Sequence, residues 1–598
     1  MIELQNKTYT INIGTDDFKE LATGTDLFVD KTSFIGALLR GGYKVTLITR
    51  PRRWGKTLNM SMLQYFFNIP VQEDGRIDEE ERSKRRQIFS QLKIGTQQEI
   101  MEGYFGQYPA IFISFKDIKG LVYEDLETGV RDLIYKLYVA HRYLLRSDRL
   151  DDIQKEYFRK FITKQFDLFE LKDSLYSLSE MLFVHFGKKV VILIDEYDTP
   201  MNDWYAQQLA REEKPSSEDE RYRQNILLLF GGLLSKALKG NDYLEKGVVT
   251  GILRVAKANL FSGLNNLGED SVLDKQYASH FGFTEEEVNT LLHKVGIDQN
   301  QEIFTELKSW YNGYTIGGIT IYNPWSIMNC IYNEGEFKAY WVGTASTALI
   351  ERALVLDKFQ EEMQRLVEGE SIEMIADPKM VFEDIKSFPN ALYNLLLFSG
   401  YITAEKVKQA LDGVTYICQV KIPNREVRGV FMTSVVQWIE SKFKADSRGY
   451  RAFVGDLLSG DVPKFMTTLK SYLEVSASYF DSGLKQAELL YNGFMWGLFA
   501  SSMNEDYFVE KERETGAGRA DLLIIPKETS PHSFAFILEY KIAGQNENLE
   551  DVAKAALDQT EIKGYASKIR GYTNVKKIIS MGLAFRGKDV EVSYKEHI

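Results

Sequence analysis

Three short stretches of the chain carry residue types whose spacing suits chemistry on phosphate. The first is Arg50-Pro51-Arg52-Arg53-Trp54-Gly55-Lys56-Thr57. It follows the apolar run Val45-Thr46-Leu47-Ile48 and precedes a helical pattern that sets Leu58, Met62, Leu63 and Phe66 on one face. A strand, a loop ending Gly-Lys-Thr and a helix form a phosphate-binding loop. The turn's N–H groups and the helix N-terminus face an anion, the lysine adds a point charge and the threonine hydroxyl can hold Mg²⁺. On this reading Arg52, Arg53, Trp54, Gly55, Lys56, Thr57 and Leu58 contact the nucleotide. The usual first glycine, five positions before Gly55, is replaced by Arg50. A lone Gly-Lys-Thr arises by chance, so the flanking strand and helix carry much of the argument.

The second stretch is Lys189-Val190-Val191-Ile192-Leu193-Ile194-Asp195-Glu196-Tyr197-Asp198, an apolar run closing in carboxylates. Such runs are strands buried on both faces of a parallel sheet. Asp195 at the strand's end would orient the Mg²⁺ shell, and Glu196 would polarise the attacking water. A further strand, Lys246 to Ile252, ends near Thr250 and Arg254. Thr250 can sense the γ-phosphate and Arg254 can reach the phosphates; the competing reading is a strand end with a routine surface arginine.

The third stretch lies near the C-terminus. Gly518 to Pro526 reads as a strand starting near Asp521, the turn residues Thr529-Ser530-Pro531 follow, and Phe534 to Lys541 reads as a second strand. Strand side chains alternate faces, so Glu539 and Lys541 point the same way. If the two strands pair as a hairpin, Asp521 lies near Glu539. Two carboxylates offer the oxygen ligands that Mg²⁺ prefers, and a metal so held lowers the pKa of a bound water for phosphodiester hydrolysis. Lys541 would position that water or stabilise developing charge. The bland reading of a Glu-x-Lys pair is an ion pair at a solvent edge.

Phe28-Val29-Asp30-Lys31-Thr32, the Arg50 to Thr57 turn, and Asp195-Glu196-Tyr197-Asp198-Thr199-Pro200 together resemble the bacterial AAA-ATPase-like family, which is often fused to a C-terminal PD-(D/E)xK nuclease-like domain. In that family the Arg-Pro-Arg-Arg turn stands in place of the first glycine. The resemblance implies ATP and Mg²⁺ as cofactors and nucleic acid, DNA foremost, as a partner. It places the segment around Lys31 just before the first sheet strand, where it could meet the nucleotide base, although nothing in the segment's own pattern shows that. Asp521, Glu539 and Lys541 resemble the nuclease pattern. In the same superfamily Glu488, the one acid in a helical stretch from Leu484 to Phe499, matches a helical metal-binding acid, and Gln559 and Tyr565 match a later helix.

These residues need elements to position them. The alternation of strands and helical patterns over residues 45–254 predicts an α/β, mostly parallel sheet with helices on both faces. Residues 121–186 read as two or three helices and residues 206–220 as an exposed loop. From about residue 280 the pattern turns helical, starting with the capping-box sequence Thr284-Glu285-Glu286-Glu287. Aromatic turns at Trp310 to Tyr314 and Tyr322 to Ser326 read as core and turn residues, with base stacking as the alternative. Residues 346–470 read as mostly amphipathic helix, broken by a strand-like run at Gly413 to Val420.

The expected organisation is a P-loop ATPase domain at 1–275, a helical lid-like module at 276–345, a helical linker at 346–470 and a restriction-endonuclease-like α/β domain at 471–598. The length of 598 residues suits several domains, and 44% hydrophobic with 26% charged residues is ordinary for a globular protein. Two cysteines, Cys330 and Cys418, exclude a disulfide framework. No apolar run of spanning length and no signal-peptide pattern occurs, so a cytoplasmic location without membrane partners is expected. The net charge of −12 argues against non-specific coating of nucleic acid. A local basic stretch remains at 561–588, where Lys563, Lys568, Arg570, Lys576, Lys577, Arg586 and Lys588 accompany the single acid Glu561. The sequence leaves self-association open.

Overall fold

A computed structural model describes residues 2–4, 7–120, 122–210, 216–253, 267–297, 301–341, 362–363, 365–367, 369–378, 389–443, 455–475, 507–513, 520–528, 530–544, 546–562, 569, 571–586 and 589–597. The chain divides into two compact units. One comprises Met1–Leu349 with Ser371–Val427, the other Ile350–Glu370 with Arg428–Ile598.

The first unit is built on five parallel strands: β1 (Val45–Thr49), β2 (Ala110–Ser114), β3 (Val190–Asp195), β4 (Leu244–Gly251) and β5 (Leu267–Asp270), in the order β2-β3-β4-β1-β5. β1 and β3 are buried along their whole length, as expected for strands covered on both faces. Side chains of β1, β3 and β4 alternate between two cores. Val45, Leu47, Ile192 and Ile194 meet the helices Tyr123–Ala140, Leu168–Phe186 and Ser217–Leu238. Ile48, Val191, Leu193 and Val248 meet helix Ser33–Arg40 and α1 (Lys56–Phe67). Because β4 separates β1 from β3, the loop after β1 and the acidic end of β3 flank the end of β4, at the carboxyl edge where open α/β sheets bind ligands.

Three α-helices, Tyr123–Ala140, Asp152–Ile162 and Leu168–Phe186, occupy the region read as two or three. Of the supposed loop at 206–220, residues 206–210 and 217–220 are helical. One helix runs Thr199–Ala210, and another starts at Ser217 with Ser216 and Asp219 forming a capping box. The acids at 218–220 are first-turn residues that favour a helix N-terminus, so their polarity misleads when taken as a sign of loop.

Thr284 caps the helix Glu285–Val295 and forms its capping box with Glu287, as the spacing predicts. Beyond it, residues 372–421 hold a three-stranded antiparallel sheet: Ile372–Ala376, Thr403–Gln409 and, between them, Tyr416–Lys421. Only the last is evident as a strand in the sequence. Thr403–Gln409 carries Glu405, Lys406, Lys408 and Gln409, good helix formers that tertiary pairing overrides. Cys330 and Cys418 are both buried.

The second unit contains a mixed sheet of β6 (Tyr507–Arg513), β7 (Ala520–Pro526), β8 (Phe534–Ile542), β9 (Lys577–Arg586) and β10 (Asp589–His597), in sequential order. All neighbours are antiparallel except β8 and β9, which α2 (Leu549–Ile562) connects as a parallel crossover. α2 packs so closely that a Cβ at Gly582 of β9 would lie 2.3 Å from the Ala553 carbonyl oxygen. No helix among the described residues is long and apolar enough to cross a membrane.

Candidate active site

The loop after β1 turns into α1 at Gly55, whose φ of 77° is the left-handed conformation that favours glycine. Thr57, in the first turn of α1, donates its hydroxyl to Asp195 Oδ2 at 2.7 Å. Thr250 on β4 donates to the other oxygen, Oδ1. Sheet register brings this about. Ile194 pairs with Val249 and Ile48 with Thr250, so Asp195 and Thr250 reach the carboxyl edge together beside the loop. Asp195 is fully buried, yet both of its oxygens accept a hydroxyl proton. A hydroxyl and a carboxylate are hard oxygen donors of the kind that suits Mg²⁺.

Lys56 is also buried, and its ammonium donates to the carbonyls of Arg50 at 3.0 Å and Pro51 at 2.8 Å. Burial lowers its pKa, while the carboxylates of Asp195, Glu196 and Asp198 pull the other way. Glu196 is partly buried, with φ of +50°, unusual for a side chain larger than glycine, and it accepts the Thr199 hydroxyl at 3.2 Å. Burial raises its pKa, against the Lys56 charge. A carboxylate moved upward in this way is better matched to proton transfer near neutral pH.

Asp198 accepts the backbone N–H groups of Ile252 and Leu253 at 2.9 and 2.8 Å and the Asn202 amide at 2.8 Å. It thereby ties the loop after β3 to the chain leaving β4. The sequence offered Asp198 only as one more carboxylate in an acidic run.

Each residue from Arg50 to Trp54 is held by a different part of the chain. The fully buried Arg50 pairs with Asp270 at the end of β5, donates to the Thr49 and Asp270 carbonyls, and lies over the Phe281 ring. The arginine that replaces the usual glycine therefore points down into the sheet. Pro51 lies against Gly400, where a Cβ would come within 2.9 Å of the proline ring. The Arg52 carbonyl accepts the Trp341 indole N–H at 3.2 Å. Arg53, with φ of 67°, stacks its guanidinium 3.9 Å from the Trp325 ring centre. Trp54 is buried edge-on against Tyr314, and its carbonyl accepts the Gly282 N–H. Expected to touch nucleotide, Trp54 instead directs its side chain into the core, leaving its backbone to the loop. Arg52 is exposed and Gly55 partly exposed in the loop, whereas Leu58, in α1, is partly buried against the core. Lys31, expected near the base, donates to the Ser279 carbonyl and pairs with Glu287.

Behind this grip stands Glu426, which the sequence placed in a linker without chemistry. It is buried, accepts the Ser326 hydroxyl and the Trp341 backbone N–H, each at 2.7 Å, and has a pKa pushed up by burial to about 7. The segments Tyr322 to Ser326 and Ile422 to Val427 are visible in the sequence, but nothing in them shows that they meet.

In the second unit β7 and β8 pair antiparallel as the hairpin reading requires, with Leu522 opposite Leu538. The pairing runs from Ile524 with Phe536 to Leu522 with Leu538, one position short of residues 521 and 539. Glu539 is fully buried. Lys541 is partly exposed and donates to the Ala555 carbonyl of α2 at 3.3 Å. Gln559 lies on α2. Glu488, Tyr565 and Arg254 lie outside the described residues, and for Asp521 only the backbone is described. Among the described residues no group of three or more His, Cys, Asp or Glu could hold a metal. Of the basic stretch, Lys576 is exposed, Lys577 pairs with Glu596 and Arg586 donates to the Glu547 carbonyl; Lys563, Lys568, Arg570 and Lys588 lie outside the described residues.

Residues 12–261 match the model of the predicted AAA-ATPase family termed AAA-ATPase-like, and residues 486–595 match that of the PD-(D/E)XK nuclease superfamily. A protein of Azotobacter chroococcum mcd 1, described as "Uncharacterized protein in vnfD 5'region", is 24% identical over 568 residues, covering 93% of each chain. No solved structure matches the chain.

Proposed function

We propose that the first unit binds and hydrolyses ATP with Mg²⁺ and that the second hydrolyses nucleic-acid phosphodiesters. The observation that carries the ATPase reading is the joining of Thr57 and Thr250 to the two oxygens of Asp195 at the carboxyl edge of a parallel sheet. Thr57 and Asp195 supply the donors for Mg²⁺, which when bound neutralises charge on the terminal phosphates. Lys56 exchanges its loop carbonyls for phosphate oxygens, the N–H groups of residues 52–58 surround the anion, Glu196 takes the proton of the attacking water, and Thr250 responds to the γ-phosphate. The AAA-ATPase-like match over residues 12–261 supports this reading.

The nuclease half draws on the PD-(D/E)XK match and on the antiparallel pairing of β7 with β8, which brings the strands bearing Asp521, Glu539 and Lys541 side by side. Asp521, Glu539 and Glu488 would hold the metal and Lys541 would position the water. In the second reading this unit binds a partner without cutting, and ATP acts as a switch. The complete burial of Glu539 and the excess of 19 acidic over 15 basic residues in 471–598 favour it.

The test is nucleotide binding and DNA cleavage on the full chain with Mg²⁺ or Mn²⁺. Wild type is expected to bind MgATP, Lys56→Ala to lose binding, and Glu196→Gln to bind with hydrolysis lowered at least 100-fold. Plasmid, linear and single-stranded DNA should be cut by wild type and left whole by Lys541→Ala. Wild type that binds ATP and cuts nothing, RNA included, would favour the non-cutting readings, with ATPase stimulation by DNA marking a nucleic-acid remodeller and its absence a signalling switch.

A further inference from the structure

The match to the ATPase family ends at residue 261, yet the loop it contains is shaped by residues well beyond that point. Trp341 is fully buried and directs its indole N–H to the carbonyl of Arg52, in the middle of the turn. Its own backbone N–H is fixed by Glu426, which also takes the Ser326 hydroxyl at the start of the helix Pro324–Tyr332. That helix carries Trp325, on which Arg53 stacks, and the Trp325 indole donates to the Tyr340 carbonyl, next to Trp341. Arg52 and Arg53 thus belong to a closed circuit: loop carbonyl, Trp341, Glu426, Ser326, Trp325, loop guanidinium.

The circuit acts where a phosphate loop is most sensitive. Such a loop binds through N–H groups that point inward, so each peptide plane that supplies one must stay turned with its carbonyl outward. An indole donor on the outward carbonyl of Arg52 fixes the plane whose N–H belongs to Arg53. Arg53 holds a left-handed φ, a conformation that persists only where neighbours enforce it.

We propose that Trp341 and Glu426 are positioning residues for nucleotide binding, holding the peptide between Arg52 and Arg53 in its phosphate-facing orientation from outside the ATPase core. This rests on the reading of the loop as a nucleotide site. Neither residue touches the phosphates; both preset the loop, so their loss weakens binding of ATP and ADP alike.

The test is a titration of full-length protein with MgATP and MgADP, together with hydrogen exchange of residues 50–57 without nucleotide. Trp341→Phe keeps the ring and removes the N–H. Loss of one hydrogen bond that orders the loop corresponds to about five- to tenfold weaker binding of both nucleotides. Exchange over 50–57 should be faster, with the thermal midpoint within a few degrees of wild type, a combination that general loosening of the fold would not give. Glu426→Ala should behave likewise. Glu426→Gln should restore binding, because its amide oxygen can accept from Trp341 and its NH₂ can face the Ser326 hydroxyl oxygen. If Trp341→Phe does not fold, the Glu426 pair decides. Wild type that binds nucleotide while these variants match it in affinity and loop exchange overturns this inference alone. Wild type that binds neither nucleotide overturns the ATP reading and this inference with it.

Discussion

Glu426 shows how a single carboxyl group ties stability to pH in this chain. Its pKa is raised from 4.5 to about 7, first by burial, against the pull of its hydrogen bonds to Trp341 and Ser326. The folded state therefore holds the proton more tightly than the unfolded chain does. The stability this group contributes is full below about pH 4.5 and is lost as pH rises through about 7, a span worth about 3 kcal/mol. Glu426→Gln has no such group to titrate. Thermal melts of the two proteins across pH 4.5 to 8 should show the variant gaining on wild type as pH rises and the difference levelling off above about 7. Parallel melting curves would remove this role. Lys56, Thr57 and Asp195, the residues proposed to meet phosphate and Mg²⁺, were legible as candidates because their spacing to strand and helix is a local pattern. Asp270 and Trp341 were not legible. Each lies in no recognisable local pattern, and its partner is more than 200 positions away in the chain, at Arg50 and Arg52.

At the scale of elements, local apolar patterning predicts the buried strands well and the exposed ones badly. β1 and β3 are continuous apolar runs. Thr403–Gln409, by contrast, is largely exposed and charged, and it is a strand because Tyr416–Lys421 pairs with it. The C-terminal hairpin was legible from two apolar runs and a turn, although the placement of α2 over β9 was not. That placement depends on Gly582. Added methyl volume there would meet the backbone of α2 at Ala553 and Leu557, both 2.3 Å from the built Cβ, and backbone cannot swing aside as a side chain can. Gly582→Ala should lift α2 and destabilise the second unit by about 1–3 kcal/mol, in line with other overpacked cores. Limited proteolysis of full-length variant and wild type checks this: cleavage should quicken within residues 549–586, and an unchanged pattern would refute it.

For the whole molecule, the proposed nucleotide site and its supports spread over most of the first unit. Arg50 to Trp54 lean on Asp270, Gly282, Tyr314, Trp325, Trp341 and Gly400, all beyond residue 261. A fragment of residues 1–261 is therefore expected to expose the apolar surfaces that those partners cover and to fail to bind MgATP. A fragment of residues 1–427, which retains the whole circuit, should bind with an affinity within a fewfold of the full chain. Size-exclusion chromatography and titration of both fragments test this, and tight binding by the shorter one would show that the loop holds its shape without outside help.

Both cysteines, Cys330 and Cys418, belong to the first unit, and burial raises their pKa values to about 12 and about 11. At neutral pH each is a shielded thiol rather than a reactive thiolate. The native surface therefore starts out chemically blank toward maleimides, and a cysteine introduced at any exposed position can carry a fluorophore or spin label without the two natural ones first being removed.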